Sequence, residues 1–173
     1  MFKIDALELS FLCKDFTSDA ILGIARGGLT LSHFMSQALS QRNVFILNTI
    51  SYDGRIQKDN VEVFNIPSLE KFRKVLIVDD IIDSGGTIIN AVDALKKEGA
   101  KDVYVFITHA VLSGQAVEKI KKSQIKKLII TDTIENTSKI KNNSKIEVIS
   151  IAPLMAEAIN RISNSTSVPD LFN

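Results

Sequence analysis

The stretch that decides the fold runs Val75-Leu76-Ile77-Val78-Asp79-Asp80-Ile81-Ile82-Asp83-Ser84-Gly85-Gly86-Thr87-Ile88-Ile89. Its first four residues are apolar and mostly β-branched, which is typical of a strand that is buried on both faces of a parallel sheet. Two carboxylates follow at the predicted carboxyl end of the strand, and a turn of small residues then leads into a helix. Ligands of open α/β sheets bind at this end of the strands. The stretch therefore predicts a ligand site in an α/β fold.

The small residues after the strand supply the second part of this predicted site. They are Ser84, Gly85, Gly86 and Thr87. Glycines let a backbone approach a ligand closely, and the free N–H groups and dipole at the start of a helix attract a phosphate. Asp79 and Asp80 would repel a bare phosphate, so they make sense only if they hold hydroxyl groups or a divalent cation, typically Mg²⁺. A sugar phosphate with free hydroxyls meets both demands.

This segment resembles the 5-phosphoribosyl 1-diphosphate (PRPP) motif of type I phosphoribosyltransferases, two acids after an apolar strand followed by Asp-Ser/Thr-Gly-Gly/Ala-Thr. The resemblance implies that Asp79 and Asp80 hold the ribose 2- and 3-hydroxyls and Mg²⁺. It implies that Asp83 approaches a nucleobase as a general acid or base. It also implies that residues 84–87 wrap the 5-phosphate of PRPP.

A second small-residue turn follows the apolar run at residues 21–24. It reads Ala25-Arg26-Gly27-Gly28, and Arg26 is its only charge. A guanidinium offers a fork of N–H groups that matches a diphosphate. The turn resembles the diphosphate loop of the same family, often Ser-Arg-Gly-Gly, with Ala25 here in place of Ser. The resemblance implies that Ala25, Arg26 and Gly27 bind PRPP and that Arg26 is also catalytic.

The polar segment 51–60 contains Gly54 and should be a mobile loop. It resembles the hood of bacterial xanthine-guanine phosphoribosyltransferases, which closes over the diphosphate and excludes water. The resemblance assigns Ser51, Tyr52 and Lys58 to this flexible loop, with Lys58 catalytic. The family has Arg where this chain has Lys58, and Lys keeps the charge but loses bidentate geometry. A solvated hairpin without this role is the alternative.

The second half of the chain resembles another family. Segments 107–114, 130–134 and 150–159 are similar to the C-terminal part of PRPP synthases, whereas residues 20–52 look more like a bacterial xanthine-guanine or hypoxanthine phosphoribosyltransferase. Both families share the PRPP motif, so the chain reads as a mosaic of the two. The resemblance to xanthine-guanine phosphoribosyltransferases implies that His109 and Ile134 contact a nucleobase, and a structural role for His109 is the alternative.

Composition agrees with a single enzyme domain over residues 1–173. With 45% hydrophobic and 24% charged residues, the chain can bury a substantial core. A net charge of +1 gives no reason to expect a nucleic acid or membrane partner. Cys13 is the only cysteine, so no internal disulfide forms and a cytoplasmic location is expected.

Hydrophobic periodicity predicts alternating strands and helices. The predicted strands are 20–24, 44–50, 75–78, 103–108, 128–131 and 147–151, and the predicted helices are 5–16, 29–41, 87–98, 114–122 and 153–163. Such alternation indicates an α/β fold with a mostly parallel central sheet flanked by helices, the Rossmann-like architecture that the family resemblance also implies.

Three functions follow from these features. The first is an Mg²⁺-dependent purine phosphoribosyltransferase that joins a purine base to PRPP and forms a nucleotide and diphosphate, in a homodimer or larger homo-oligomer. The second is a module that binds PRPP or a nucleotide without turnover. The third is a PRPP synthase (ribose-phosphate diphosphokinase), which is disfavoured because that family carries two similar domains.

Overall fold

The computed structural model describes residues 17–53 and 56–167, and for residues 51–53 and 56–61 it describes the backbone alone. The strands are β1 Ala20–Ala25, β2 Val44–Asp53, β3 Ile56–Phe64, β4 Lys74–Ile82, β5 Asp102–Ala110, β6 Lys127–Thr131 and β7 Ile146–Ile149. The helices are α1 Gly28–Ala38, α2 Gly86–Lys97, α3 Ala116–Lys122, α4 Thr137–Ile140 and α5 Ala152–Ser163. The predicted helix 5–16 lies outside the described residues.

The seven strands form one sheet in the order β3-β2-β1-β4-β5-β6-β7. Strand β3 is antiparallel to β2, and the other neighbouring strands are parallel. This confirms the predicted α/β fold with a mostly parallel sheet. The chain winds from β1 towards one edge and from β4 towards the other, so the strand order reverses between β1 and β4. Open α/β sheets bind ligands in the crevice at such a switch point, beyond the carboxyl ends of the strands.

Hydrophobic side chains cover both faces of the sheet. Helices α2 and α3 pack on one face, where Ile88 and Ile120 join a cluster with Ile77 of β4. Helix α1 packs on the other face, where Met35 joins a cluster with Leu76. The four residues at 75–78 are at most 1% exposed, as predicted for a strand buried on both sides. Each such side chain contributes about 1.5–3 kcal/mol of burial free energy, so β4 is anchored firmly beside the switch point.

Two segments differ from the sequence prediction. Residues 51–53 and 56–60, expected to belong to a mobile loop with a solvated hairpin as the alternative, complete β2 and begin β3. These strands pair as an antiparallel hairpin from Asp53 and Ile56 to Asn48 and Phe64. A strand at the edge of a sheet needs no continuous apolar pattern, so its polar sequence concealed it. Strand β4 continues four residues past the predicted end, because β5 offers backbone partners as far as Ala110.

None of the helices in the described part of the chain is long and apolar enough to cross a membrane.

Candidate functional site

A cavity of about 660 Å³ opens at the switch point between β1 and β4. It is lined by residues 24–27 at the end of β1 and in the turn after it, by Thr49 of β2, and by residues 79–88, which run from the end of β4 into α2. The turn 25–27 and the stretch 79–87, which the sequence analysis treated separately, therefore meet in one cavity. This convergence follows from the parallel pairing of β1 with β4, which brings their carboxyl ends to the same edge.

The start of α2 forms one wall of the cavity. Gly85 occupies the position before the helix with φ 81°, a left-handed conformation that favours glycine. No side chain caps this helix, and its first turn holds no acidic residue. Its N-terminus therefore presents backbone N–H groups and the positive end of the helix dipole to the cavity, an arrangement that binds phosphate.

Helix α1 brings a second N-terminus to the same cavity. It also begins without a side-chain cap and without an acidic residue in its first turn. Gly28, its first residue, packs so closely on β4 that a Cβ there would lie 2.2 Å from the Val78 carbonyl oxygen. Arg26 is exposed at the mouth of the turn before the helix, after a cis peptide bond from Ala25. Two helix N-termini and a guanidinium thus surround one cavity.

The two adjacent carboxylates lie between these helix N-termini and have different surroundings. Asp79 is only 8% exposed, and its Oδ1 accepts a hydrogen bond from the Asp80 N–H at 3.0 Å. Its carboxylate also accepts a hydrogen bond from the backbone N–H of Gly28. Asp80 is exposed, and its carboxylate lies against Gly27, where a Cβ would be 2.0 Å from Oδ1. Asp79 therefore ties β4 to α1, and Asp80 borders the turn 25–27.

Burial raises the pKa of Asp79 from 3.8 to about 7, and the neighbouring Asp80 carboxylate adds to the increase. The N–H groups of Asp80 and Gly28 oppose it, because they favour the charged form of the carboxylate. Asp79 is therefore partly protonated near neutral pH. A cation or a hydroxyl donor in the cavity would favour its charged form.

The two carboxylates of the site suit a Mg²⁺ ion whose other ligands are water and substrate oxygens. Among the described residues, no group of three or more His, Cys, Asp or Glu side chains could hold a metal ion. Mg²⁺ binds through one or two carboxylates when waters and substrate phosphates complete its six ligands. Asp79 and Asp80 fit that role beside a phosphate-binding wall, and they do not fit an ion held by protein alone.

The other predicted site residues lie around this cavity or outside the description. Asp83 is exposed and lines the cavity. The side chains of Ser51, Tyr52 and Lys58 are outside the described residues, so their flexible-loop roles stay predictions. Their backbone belongs to the hairpin of β2 and β3.

The two predicted base contacts lie beside the cavity rather than in its wall. His109 lies near the end of β5, the next strand after β4 in the sheet. Its Nδ1 lies 3.0 Å from Oγ1 of Thr133, in the turn after β6. Ile134 is half-buried in the same turn, and its carbonyl oxygen accepts a hydrogen bond from the Asn136 side chain. The structure thus brings His109 and the turn after β6 together at the ligand-binding edge of the sheet.

Several residues of the site were missed in the sequence, and three of them show why. Gly28 was quoted only as part of a turn, although its lack of a Cβ permits the contact with Val78. A second glycine directly after Gly27 was the available signal for a close backbone approach. Thr49 and Ile81 also line the cavity, and neither departs from the pattern of an ordinary strand residue.

Comparison with known proteins identifies relatives of this fold and sequence. A family model, the phosphoribosyl synthetase-associated domain, matches residues 42–173. The ribose-phosphate pyrophosphokinase of Clostridium tetani is 51% identical over 122 residues, which cover 70% of this chain and 38% of the relative. That of Caldanaerobacter subterraneus is 40% identical over 164 residues, which cover 94% of this chain and 50% of the relative. The chain thus spans half or less of these relatives, and the second likeness includes its N-terminal part.

Solved structures confirm the fold, and both predicted families are among those that match. The phosphoribosylpyrophosphate synthetase of Mycobacterium smegmatis superposes with a TM-score of 0.72 at 25% identity, over 95% of this chain and 51% of that one. The xanthine-guanine-hypoxanthine phosphoribosyltransferase of Helicobacter pylori superposes with a TM-score of 0.58 at 23% identity, over 90% and 91% of the two chains. The chain has the type I phosphoribosyltransferase fold and belongs to the phosphoribosyl synthetase-associated domain family.

Proposed function

We propose that the cavity binds ribose 5-phosphate and PRPP, and that the chain takes part in Mg²⁺-dependent ribose-phosphate pyrophosphokinase chemistry. In that reaction, the C1 hydroxyl of ribose 5-phosphate receives a diphosphate from ATP. One observation carries the proposal: two uncapped helix N-termini converge on one cavity, with the carboxylates Asp79 and Asp80 between them. PRPP has the matching pattern, with a phosphate at C5, a diphosphate at C1 and hydroxyls between.

The residues of the cavity divide between the parts of this ligand. Residues 84–87, the turn before α2 and its first two residues, receive the 5-phosphate through backbone N–H groups. Asp79 and Asp80 accept hydrogen bonds from the ribose hydroxyls. Arg26 and the turn 25–27 receive the diphosphate, for which a guanidinium has the right fork geometry. Asp83, which lines the cavity between β4 and α2, is the candidate acid or base.

Mg²⁺ would be held by Asp79 and Asp80 together with waters and ligand oxygens, and it would neutralise charge on the diphosphate. The remaining contribution of the chain is positioning. Two helix dipoles, Arg26 and the acid pair fix both ends of the sugar phosphate, so that C1 is held in one place.

The relatives support pyrophosphokinase chemistry in preference to the transferase favoured by the sequence motifs. The two sequence relatives described above are both named ribose-phosphate pyrophosphokinases. The matched portion is half or less of each relative, so turnover by this chain alone is part of the proposal. We expect ribose-phosphate binding from this chain in either case, because both phosphate-binding walls belong to it.

Purine phosphoribosyl transfer is the second candidate, and one observation favours it. His109 and the turn 131–134 meet at the same end of the strands as the cavity. His109 lies on β5 directly beside Ile81 of β4, which lines the cavity. A ring attached at C1 of the ribose could reach them. Homo-oligomerisation, expected from the sequence for either activity, is likewise a proposal.

One set of assays separates these functions. The chain is incubated with Mg²⁺, ATP and ribose 5-phosphate, and separately with Mg²⁺, PRPP and adenine, guanine, hypoxanthine or xanthine, and products are followed by phosphorus NMR. PRPP and AMP formation in the first mixture supports the pyrophosphokinase, and nucleotide formation in the second supports the transferase. Binding of PRPP without either product indicates the non-catalytic module. Absence of ribose 5-phosphate and PRPP binding would refute the site itself.

A further inference from the structure

The chain just past the end of β5 is hydrogen-bonded on both sides. On one side, the Val111 N–H donates at 2.9 Å to the carbonyl oxygen of Ile82, a residue that lines the cavity. On the other side, the Ala110 carbonyl oxygen accepts a hydrogen bond of 2.5 Å from Nδ2 of Asn136, in the segment between β6 and α4. This carbonyl and the Val111 N–H belong to one planar peptide unit. The bond from Asn136 therefore also orients the donor that holds Ile82.

Lys139 holds the next peptide unit in the same way. Its Nζ lies 3.0 Å from the Val111 carbonyl oxygen, and the Leu112 N–H of that unit lies 3.4 Å from the Ile82 carbonyl oxygen. Leu112 has φ 51° and is 2% exposed, and its side chain belongs to the same hydrophobic cluster as Ile82. A leucine keeps a left-handed backbone only where its surroundings fix it. The turn at Leu112 is therefore held by the core and by Lys139 together.

Asn136 stands directly before α4, where an Asn side chain would ordinarily cap the helix. A capping side chain accepts a hydrogen bond from a backbone N–H of the first turn, and no such bond caps α4. Asn136 is only 4% exposed, and its Nδ2 donates to the carbonyl oxygens of Ala110 and Ile134. This buried amide therefore serves the end of β5 and not its own helix.

The carbonyls held at the end of β5 shape the wall of the cavity. The Ile82 carbonyl shares a planar peptide unit with the Asp83 N–H. The Asp83 carbonyl oxygen accepts a hydrogen bond of 3.2 Å from the Ser113 N–H, and it shares the next unit with the Ser84 N–H. Because the peptide units on both sides of Asp83 are held, its backbone dihedrals and the direction of its Cα–Cβ bond are fixed. The same bonds fix the direction of the Ser84 N–H.

We propose that Asn136 and Lys139 are positioning residues for the phosphate on C5 of the ribose. They act through the peptide units at the end of β5 on the orientation of Asp83 and of the Ser84 N–H. Both residues lie outside the lining of the cavity, so their effect on a ligand is indirect. The inference rests on the proposed function, because it takes residues 84–87 as the site of the 5-phosphate.

Replacement of Asn136 separates positioning from a purely structural role. Asn136→Leu keeps nearly the same shape and removes the donor. Isothermal titration should show ribose 5-phosphate binding about three- to tenfold more weakly, because the effect cannot exceed that of one neutral hydrogen bond. Diphosphate with Mg²⁺, assigned to Arg26 and the turn 25–27, should bind with unchanged affinity. Lower stability alone would weaken neither ligand at a temperature where the variant is folded.

Asn143→Leu is the matched control for this variant. Asn143 is also buried, at 6% exposed, and its Nδ2 donates at 3.1 Å to the carbonyl oxygen of Val117, which lies on α3 and outside the lining of the cavity. Its replacement should lower the melting temperature and leave both ligand affinities unchanged. Equal weakening of ribose 5-phosphate binding in Asn136→Leu and Asn143→Leu would indicate general loosening and would overturn the inference.

Lys139 supplies a second pair of variants, and because it is exposed they should fold. Lys139→Met removes the donor and should weaken ribose 5-phosphate binding about two- to fivefold. Lys139→Arg keeps a donor and should retain the affinity. In ¹H–¹⁵N NMR spectra without ligand, the amide signals of Asp83 and Ser84 should shift in Asn136→Leu and Lys139→Met. They should stay in place in the Asn143→Leu control.

Binding of ribose 5-phosphate to the unaltered chain separates failure of this inference from failure of the proposed function. If the unaltered chain binds it and Asn136→Leu and Lys139→Met bind it equally well, the inference is wrong and the proposed function stands. Unchanged amide signals of Asp83 and Ser84 in both variants overturn the inference in the same way. If the unaltered chain does not bind ribose 5-phosphate, both are wrong. Should Asn136→Leu fail to fold, Lys139→Met and Lys139→Arg decide the question.

Discussion

Two adjacent glycines at the start of α1, Gly27 and Gly28, predict opposite consequences of the same substitution. A Cβ at Gly27 would lie 2.0 Å from Oδ1 of Asp80, which is an exposed side chain that can rotate away. A Cβ at Gly28 would lie 2.2 Å from the carbonyl oxygen of Val78 and 3.2 Å from the Cα of Asp79, which are backbone atoms of β4. Gly27→Ala should therefore displace a ligand-binding carboxylate, whereas Gly28→Ala should separate α1 from the sheet.

The magnitudes follow from these contacts. Gly27 has φ −58°, which alanine adopts without strain, so Gly27→Ala should change the free energy of unfolding by less than about 1 kcal/mol. Its displaced carboxylate should lose one charge-assisted hydrogen bond of about 1.5–3 kcal/mol, which weakens ligand binding about ten- to a hundredfold. Gly28→Ala overpacks a buried contact and should cost about 1–3 kcal/mol of stability.

Denaturant unfolding and isothermal titration with Mg²⁺ and PRPP measure the two effects on both variants. Gly27→Ala should unfold at nearly the denaturant concentration of the unaltered protein and bind PRPP much more weakly. Gly28→Ala should unfold at a clearly lower concentration. The reasoning is refuted if Gly27→Ala binds PRPP normally, or if Gly28→Ala is as stable as Gly27→Ala.

Three further predictions concern the pKa of Asp79, the turn before α2 and the guanidinium. Folding raises the pKa of Asp79 from 3.8 to about 7, so the folded protein binds more protons than the unfolded chain between these pH values. Without divalent cations, the free energy of unfolding should therefore fall by up to about 4 kcal/mol as pH rises through this window. Asp79→Asn should remove this pH dependence in denaturant titrations. Gly85→Ala places a side chain at φ 81° and should cost about 1–2 kcal/mol, seen as a lower melting temperature. Arg26→Lys should weaken PRPP binding about tenfold, because Lys cannot form the bidentate contact with the diphosphate. Ribose 5-phosphate binding should be nearly unchanged, since that ligand lacks the diphosphate. Equal effects on both ligands would contradict the assignment of Arg26.

Local sequence patterns were sufficient for most of the fold. Buried parallel strands need apolar runs, and the run 75–78 lies inside β4 as predicted. Helix ends were also readable. The predicted helix 87–98 ends just before Gly99, whose φ of 100° suits a residue past the end of a helix, and the predicted helix 153–163 begins at Pro153, which lies in the first turn of α5. These features depend on residues close together in the chain, so one sequence reveals them.

Features that depend on the sheet as a whole were less predictable. Strand β3 was absent from the predicted strands because it is held by backbone pairing with β2 and has a polar sequence without an apolar pattern. The contact of Gly28 with Val78 and the hydrogen bond from Thr133 to Thr108 join residues far apart in the sequence. The two motifs of the cavity were recognised one by one, but their convergence depends on β1 lying beside β4. The extent of the domain, residues 1–173, stays a prediction.

The central claim is that one cavity binds the ribose phosphate through the acid pair at the end of β4. Isothermal titration of the unaltered chain with PRPP and Mg²⁺ tests it most directly, beside the Asp79→Asn/Asp80→Asn double variant. Asp102→Asn is the matched control, because Asp102 is the first residue of β5 and lies at the amino-terminal end of the strands, away from the cavity. Saturable binding by the unaltered chain and the control, with loss in the double variant, is the predicted result. Unchanged affinity in the double variant, or no binding by the unaltered chain, would contradict the claim.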